Sequence, residues 1–295
     1  MTGVWISLLF GRILLAAILV KPAPAVVLVV TESGVPAYAD AVEGLTGELG
    51  ANLGRIVDIR AATAANDLAR LLEARDTRVV VAVGSRALAE LQARRTALPV
   101  VATMLLRGPE PDGAGQVDLD VPLNAQLEAV RALLPRASRA GIIRNPARLR
   151  STAEVLESQG RKEGYTLTVA DCDGPGRLLK VVASLKDKVD FLLCFPDPDL
   201  YNAVTIQPLV LAAIEYRLPI VGFSPAFVRA GAAAGVYPDY RALGRQAAEM
   251  AMRLHRGEAS GGEEYPTKLQ VAINQRVTRL LGLDFRIPSG AEVFR

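Results

Sequence analysis

The sequence predicts an α/β protein of two lobes, each containing a parallel sheet covered by helices. Eight short apolar runs recur along the chain, and stretches rich in Ala, Leu, Glu and Arg at helical spacing lie between them. The runs are four to seven residues long and do not alternate with polar residues, which is typical of strands that helices cover on both faces. A turn-rich stretch at 107–115 interrupts the pattern after four units and indicates a division into two lobes.

The predicted strands form two groups of four in chain order. The first four lie at 26–31, 56–59, 79–83 and 99–102, and the second four lie at 140–144, 165–170, 189–195 and 219–223. Pro99 and Pro219 stand at the first positions of their strands, where a missing N–H is tolerated. One continuous sheet of eight or more strands is the alternative, but the interruption favours two sheets joined near 116–122.

The C-terminal part continues the pattern and does not predict a third domain. It contains a short strand at 232–236, a helix over 240–256 that ends at Gly257, a strand at 268–273 and a short helix over 275–281. Asn274 precedes the last helix and is its predicted N-cap.

Residues 1–25 have the pattern of a secretory signal peptide. Arg12 precedes an apolar run at 13–20, and Ala23 and Ala25 occupy the −3 and −1 positions of a cleavage site. A membrane anchor is the alternative, but Arg12 would then lie near the bilayer centre at a cost of about 2.5–3.5 kcal/mol. No cysteine lies near the cleavage site to carry a lipid. We expect an exported, periplasmic protein.

Composition excludes several classes of function. Removing residues 1–25, which hold two basic residues and no acid, lowers the formal net charge from +3 to +1, so nothing attracts nucleic acid. One histidine and two cysteines are too few for a usual zinc site, and Asp197 and Asp199 lack the glycine and spaced acids of a calcium loop. Neither G-x-G-x-x-G nor a P-loop occurs. We expect no metal and no cofactor.

The two cysteines are predicted to be free thiols. Cys172 and Cys194 follow strands that both flank the strand at 140–144, so about 9–10 Å separates them. A disulfide requires Cα atoms within about 7 Å. We therefore expect no disulfide, with Cys194 buried.

Ligands of open parallel sheets bind beyond the carboxyl ends of the strands, and polar residues at these positions are the candidate contacts. They are Ser33, Ser85, Asn145, Asp197 and Ser224, with Phe195, Tyr201 and Phe223 as possible stacking surfaces. Each has a structural alternative: Ser85 as an N-cap, Asp197 as a turn or N-cap acid, and the aromatic residues as core. Asp197, which lies between two prolines after an apolar strand, is the sharpest candidate.

Several runs of the chain resemble one family in order and spacing. They are Leu133-Leu134-Pro135, AGIIRNP at 140–146, PIVGFS at 219–224, GAAA at 231–234, DYRALGRQAA at 239–248, Arg256-Gly257, Ile273-Asn274 and Leu281-Gly282-Leu283. These runs resemble the extracytoplasmic substrate-binding proteins of ABC transporters, in the branch related to tryptophan- and tyrosine-binding proteins. The resemblance covers about 26–285.

The resemblance implies a periplasmic-binding-protein type 1 fold with two Rossmann-like lobes and a hinge of three crossings. Lobe one would be 26–120 plus 241–285, lobe two would be 121–240, and 286–295 would be a tail. The chain departs from the family at 104–109, where relatives carry Asp-Pro, and at 115–118, where relatives carry Asn-x-Thr-Gly. These departures alter the lobe-one side of the expected site.

The implied function is capture of a small organic ligand, such as an amino acid, and its delivery to a membrane permease by a monomeric protein that is not an enzyme. A ligand sensor without transport is one alternative. A serine hydrolase with Ser224, Asp239 and His255 is another, because these residues follow the chain order of α/β-hydrolases, although the last glycine of the nucleophile motif is absent. Hinges are expected at 116–122, at 237–240 and beyond the strand at 268–273.

Overall fold

The computed structural model describes residues 26–105, 115–149, 151–258, 262–283 and 285–295. The predicted signal peptide at 1–25 and most of the turn-rich stretch lie outside the described residues. The described residues form two separate sheets flanked by helices, so the predicted α/β class with two lobes is confirmed.

The elements follow in chain order. The strands are β1 (Val26–Thr31), β2 (Leu53–Asp58), β3 (Thr77–Val83), β4 (Val100–Thr103), β5 (Gly115–Val117), β6 (Arg139–Arg144), β7 (Thr166–Asp171), β8 (Phe191–Leu193), β9 (Ile220–Gly222), β10 (Ala234–Pro238), β11 (Glu263–Glu264), β12 (Leu269–Asn274) and β13 (Glu292–Phe294). The α-helices are α1 (Pro36–Leu49), α2 (Ala64–Leu72), α3 (Ser85–Ala93), α4 (Leu123–Leu133), α5 (Ala153–Lys162), α6 (Leu178–Leu185), α7 (Ile206–Glu215), α8 (Pro225–Arg229), α9 (Tyr240–His255) and α10 (Gln275–Leu281). Gly50–Asn52 and Pro175–Arg177 are short 3₁₀ helices.

The lobe-one sheet has the order β11-β5-β4-β3-β1-β2, and all of its described pairings are parallel. Its central strands are buried on both faces: Val79 to Val83 of β3 have no exposed surface. This burial is why these strands have continuous apolar sequences. All eight strands predicted from apolar runs are present within a few residues of the expected bounds.

The lobe-two sheet has the order β13-β12-β10-β9-β8-β6-β7. Its described pairings are parallel except that of β10 with β12, which is antiparallel. Because β7 and β8 both flank β6, the strand order predicted around the cysteines is confirmed. Cys172 and Cys194 are free and buried, as predicted.

Two glycines allow α1 and α9 to pack in direct backbone contact in lobe one. A Cβ on Gly44 would lie 2.0 Å from the carbonyl oxygen of Arg241, and a Cβ on Gly244 would lie 1.9 Å from that of Ala41. No side chain fits at these distances, so the contact requires glycine at both positions. It holds the beginning of α9 beside the beginning of α1.

The chain crosses between the lobes three times. It passes from β5 to α4, from β10 to α9, and from β11 to β12. The assignment of 241–285 to lobe one is wrong for 269–285, because β12 pairs with β10 and α10 packs on lobe two. For the same reason the third crossing lies before the strand at 269–274, at 265–268, and not beyond it.

Candidate functional site

The carboxyl ends of both sheets face the space between the lobes. The last residue of β5, Val117, leads into the first crossing, and the last residue of β10, Pro238, leads into the second. The strands parallel to them therefore also end at this edge, where ligands of open α/β sheets bind. Two cavities lie there.

The larger cavity has a volume of about 610 Å³ and receives residues from both lobes. Lobe one supplies the beginnings of α1 and α9, and lobe two supplies the beginning of α8 and the strands next to the hinge. The lining residues are Val35, Pro36, Ala37, Asp40, Ser224, Pro225, Ala226, Arg229, Tyr237, Asp239, Tyr240, Arg241, Gln270 and Glu292.

The smaller cavity, of about 60 Å³, lies on lobe two beside the first crossing. It collects residues that follow β6 and β8, together with two hinge residues. The lining residues are Asp120, Val121, Ile143, Asn145, Arg148, Leu149, Phe195, Pro196, Asp197 and Pro198. Three of the predicted contacts, Asn145, Phe195 and Asp197, are thus brought together.

The second and third crossings are held by one carboxylate. Asp239 caps α9 by accepting a hydrogen bond from the Ala242 amide at 3.0 Å, and its second oxygen contacts Lys268 Nζ at 2.9 Å and Gln270 Nε2 at 3.1 Å. Burial alone would raise the pKa of Asp239, but the contacts with Lys268, Ala242 and Gln270 outweigh it and lower the pKa to about 2. Asp239 is therefore ionised throughout the physiological range.

The third crossing is also fixed to α9 in lobe one. Buried Gln246 donates to the Tyr265 carbonyl at 2.9 Å and accepts from the Thr267 amide at 3.3 Å. Arg253 forms an ion pair with Glu264. Because these contacts leave only a few residues before β12, bending at this crossing is confined to about 265–268.

Two tyrosines form an aromatic wall of the larger cavity. The rings of Tyr237 and Tyr240 are 5.7 Å apart, and the Tyr237 hydroxyl donates to Glu292 Oε2 at 3.1 Å. Tyr240 packs against the cores of both lobes. Burial, followed by the charges of Asp40 and Glu292, raises the pKa of Tyr240 to about 12, so the phenol stays neutral.

The predicted lobe-one contacts lie at an exposed edge of the cleft and line neither cavity. The Ser33 amide donates to Asp58 Oδ1 at 3.1 Å, and a 2.5 Å ion pair between Arg86 and Glu32 joins the loop after β1 to α3. Ser85 is the first residue of α3, and Gly84 is the N-cap, so the N-cap alternative for Ser85 is wrong. Its exposed hydroxyl is left to other partners.

The predicted lobe-two contacts combine turn roles with positions in the cavities. Asn145 Oδ1 accepts from the Ala147 amide at 3.1 Å, and Asp197 Oδ1 accepts from the amides of Asp199 and Leu200 at 2.8 and 3.0 Å. Ser224 caps α8 and lines the larger cavity. The local turns thus fix these polar groups at the cleft.

Tyr201 does not provide a stacking surface in the cleft. It is 6% exposed, and its ring lies 5.5 Å from that of Phe227 and 5.9 Å from that of Phe223. The turn that Asp197 caps directs the chain back under the sheet, which places Tyr201 in the lobe-two core beside Cys194. The core alternative holds for this residue.

The proposed hydrolase residues do not form a triad. Asp239 is the N-cap of α9 and His255 is the last residue of this 16-residue helix. At about 1.5 Å of rise per residue, roughly 24 Å separates them. The hydrolase alternative is therefore wrong. The described residues also contain no cluster of three metal-ligating side chains.

Several cavity residues were not predicted from the sequence. Arg229, Gln270 and Glu292 lie far apart in the chain and meet only because β12 and β13 extend the lobe-two sheet. Glu292 follows a turn in the predicted tail, where no apolar run indicates a strand. Asp239 and Tyr240, in contrast, were predicted as hinge residues, and both line the cavity.

The family model for "ABC transporter substrate binding protein" matches residues 26–284. A curated tyrosine-binding protein from Clostridioides difficile is 26% identical over 165 residues, which are 55% of this chain and 47% of that protein. The chain therefore spans about half the length of this curated relative.

Solved structures share the fold. A ligand-free, open substrate-binding protein with adhesive properties from Clostridium difficile has a TM-score of 0.70 at 17% identity, covering 92% of this chain and 99% of that one. A Streptococcus pneumonia ABC domain in complex with L-Trp has a TM-score of 0.59 at 18% identity, covering 92% and 100%. Both support the periplasmic-binding-protein type 1 arrangement. Within the described part of the chain, no helix is both long and apolar enough to cross a membrane.

Proposed function

The chain belongs to the family of ABC transporter substrate binding proteins, and on that premise we propose that it captures a small organic solute between its lobes and delivers it to an ABC transporter permease. The observation that carries the proposal is the cavity of about 610 Å³ at the carboxyl ends of both sheets. Its volume is in the range of small-molecule sites. Both lobes and the hinge line it, so a bound solute would contact every part that must move.

An amino acid is the first candidate for the solute. The curated relative is named as a tyrosine-binding protein, and one structural relative holds L-Trp. In this chain the larger cavity offers the aromatic wall of Tyr237 and Tyr240 together with charged groups of both signs. Aromatic surface with a few polar groups is the usual composition of a selective small-molecule site.

We place further ligand contacts at the sequence-predicted positions other than Tyr201. Asn145, Phe195 and Asp197 form the smaller cavity of lobe two, and Ser33 and Ser85 form the facing edge of lobe one. In the open arrangement the lobe-one serines are exposed. Closure of the cleft would bring them onto a solute that lobe two already holds. A monomer in the periplasm suffices for this cycle of capture and release.

A thermal-shift screen of the purified protein against amino acids, sugars and organic acids tests solute binding. Binding to the folded state alone adds about 2.7 kcal/mol of stability at a concentration of 100 Kd. Asp197→Asn should weaken binding of the solute found. Asp187→Asn is the matched control, because exposed Asp187 lies before β8, at the opposite end of the sheet from the cleft. The absence of any shift across the screen would contradict the proposed function.

Delivery requires a separate test in cells. Deleting the gene should abolish uptake of the solute found by the screen, and restoring it should recover uptake. Unchanged uptake together with the loss of a transcriptional response to the solute would instead assign a sensing role.

A further inference from the structure

The larger cavity has a wall that lies outside the family match. The match ends at residue 284, whereas β13 (Glu292–Phe294) pairs in parallel with β12, with Ala272 opposite Glu292 and Asn274 opposite Phe294. This pairing extends the lobe-two sheet by one strand and brings Glu292 to the cavity. The C-terminal strand therefore contributes to the cleft in this chain.

Glu292 differs from the other carboxylates that line the cavity. Asp40 lies 3.1 Å from Arg241, and Asp239 lies 2.9 Å from Lys268, so both already have a cation partner. Glu292 accepts a hydrogen bond from Tyr237, and within the described part of the chain no cation forms an ion pair with it. Its negative charge is exposed to the cavity.

Arg229 carries the complementary charge in the same cavity. Its guanidinium lies 5.2 Å from the ring centre of Phe294, which is two residues after Glu292 and so on the same face of β13. Among the described residues no carboxylate lies within ion-pair distance of Arg229, Glu292 included. A carboxylate and a guanidinium thus lie in one cavity with space between them.

We propose that Glu292 and Arg229 form a dipolar subsite in which Glu292 receives the protonated amine of the solute and Arg229 receives its carboxylate. This inference rests on the proposed function and adds the two residues that determine specificity. Closing the cleft removes water from both charges, and a charge without a partner is costly to bury. A solute with only one charge leaves the other side chain unpaired, so the subsite discriminates against simple amines and simple carboxylic acids.

The test measures binding of the twenty common L-amino acids, D-ribose, succinate and putrescine by thermal shift and calorimetry. For each amino acid that binds, its deaminated and its decarboxylated analogues are measured as well. We expect at least one amino acid to bind and each analogue to bind at least 30-fold more weakly. Glu292→Gln, which keeps an acceptor for Tyr237, should weaken the amino acid 10- to 100-fold and leave the deaminated analogue within twofold. Arg229→Gln should do the reverse, sparing the decarboxylated analogue.

Asp187→Asn serves again as the control, and melting temperatures of the unliganded variants within about 2 °C of the parent show that they are folded. A change of less than twofold in Glu292→Gln, or equal binding of the deaminated analogue, would overturn the dipolar subsite. Binding of ribose, succinate or putrescine alone would overturn it as well while leaving the proposed function standing. If no compound in the panel binds, both proposals fail.

Discussion

The carboxylate of Asp239 lies 2.9 Å from Lys268 Nζ, and this contact joins the second crossing between the lobes to the third. The same carboxylate caps α9 through the Ala242 amide and accepts from Gln270. The Asp239 amide in turn donates to the Lys268 carbonyl at 2.9 Å. The two crossings are therefore tied by both backbone and side chain and should move as one unit.

Asp239→Asn should destabilise the protein by about 1–2 kcal/mol. The amide keeps an acceptor for the α9 cap but loses the charge that faces Lys268, which is itself well exposed and so adds only part of the effect. Urea unfolding at pH 7, followed by circular dichroism, measures the difference. Glu249→Gln, at an exposed position on α9, is the control and should change little.

The pH dependence follows from the direction of the pKa shift. The folded-state pKa of Asp239, about 2, is below its unfolded value near 3.8, so the stabilisation is fully present above about pH 4. It is lost as the pH falls from 4 toward 2. The difference in stability between parent and Asp239→Asn should therefore be constant from pH 7 to pH 5 and shrink below pH 4. A difference that persists unchanged at pH 2.5 would contradict the shift.

Gly244→Ala should destabilise the protein by more than 3 kcal/mol or prevent folding. The added Cβ would lie 1.9 Å from the Ala41 carbonyl oxygen, and backbone on both sides leaves nothing flexible to move away. Gly47→Ala in α1 is the matched control, because nothing lies within 4 Å of its Cβ position. The control should stabilise by up to about 1 kcal/mol through helix propensity. Similar stability of both variants would show that α1 and α9 do not pack as described.

Both thiols should resist labelling in the native protein. Burial raises the pKa of Cys194 to about 12, so little thiolate is present at pH 8, and Cys172 is also buried. A thiol reagent should label neither residue in native buffer and both residues in denaturant without reductant. The intact mass reports the number of labels. No labelling in denaturant would indicate a disulfide and contradict the strand order around β6.

Much of the fold could be predicted because burial determines the sequence of a central strand. Apolar runs such as that of β3 admit few readings, and the residues that follow such strands lie at the cleft whichever turn they form. The edge strands β5, β11 and β13 have two or three residues and no apolar run. Their pairing depends on a neighbour that is already in place, so local sequence carries no trace of it.

The errors at the site have the same origin. Tyr201 follows a strand, but a capped turn reverses the chain before this residue, and composition does not reveal where the ring will lie. The third crossing was placed beyond the strand at 268–273, because antiparallel pairing of β12 with β10 has no signature in apolar runs. Glu292 and Arg229 are 63 positions apart in the sequence and approach one another only through the added strand.

Closure of the cleft on a ligand is the last prediction. A ligand favours the closed state only through contacts that the open state lacks, and exposed Ser33 and Ser85 of lobe one are the groups available for them. Pro122 and Pro238 restrict the crossings, so rotation should concentrate at Val121 and near Asp239.

Small-angle scattering should therefore show a smaller radius of gyration with the ligand found by the screen, and no change with a solute that does not bind. Replacing both serines, Ser33→Ala with Ser85→Ala, should weaken the ligand by removing contacts that form only on closing, and should leave the unliganded radius of gyration unchanged. If the parent binds the ligand at saturation with an unchanged radius of gyration, the lobes do not close. Binding would then occur in an open cleft, and the lobe-one serines would not be ligand contacts.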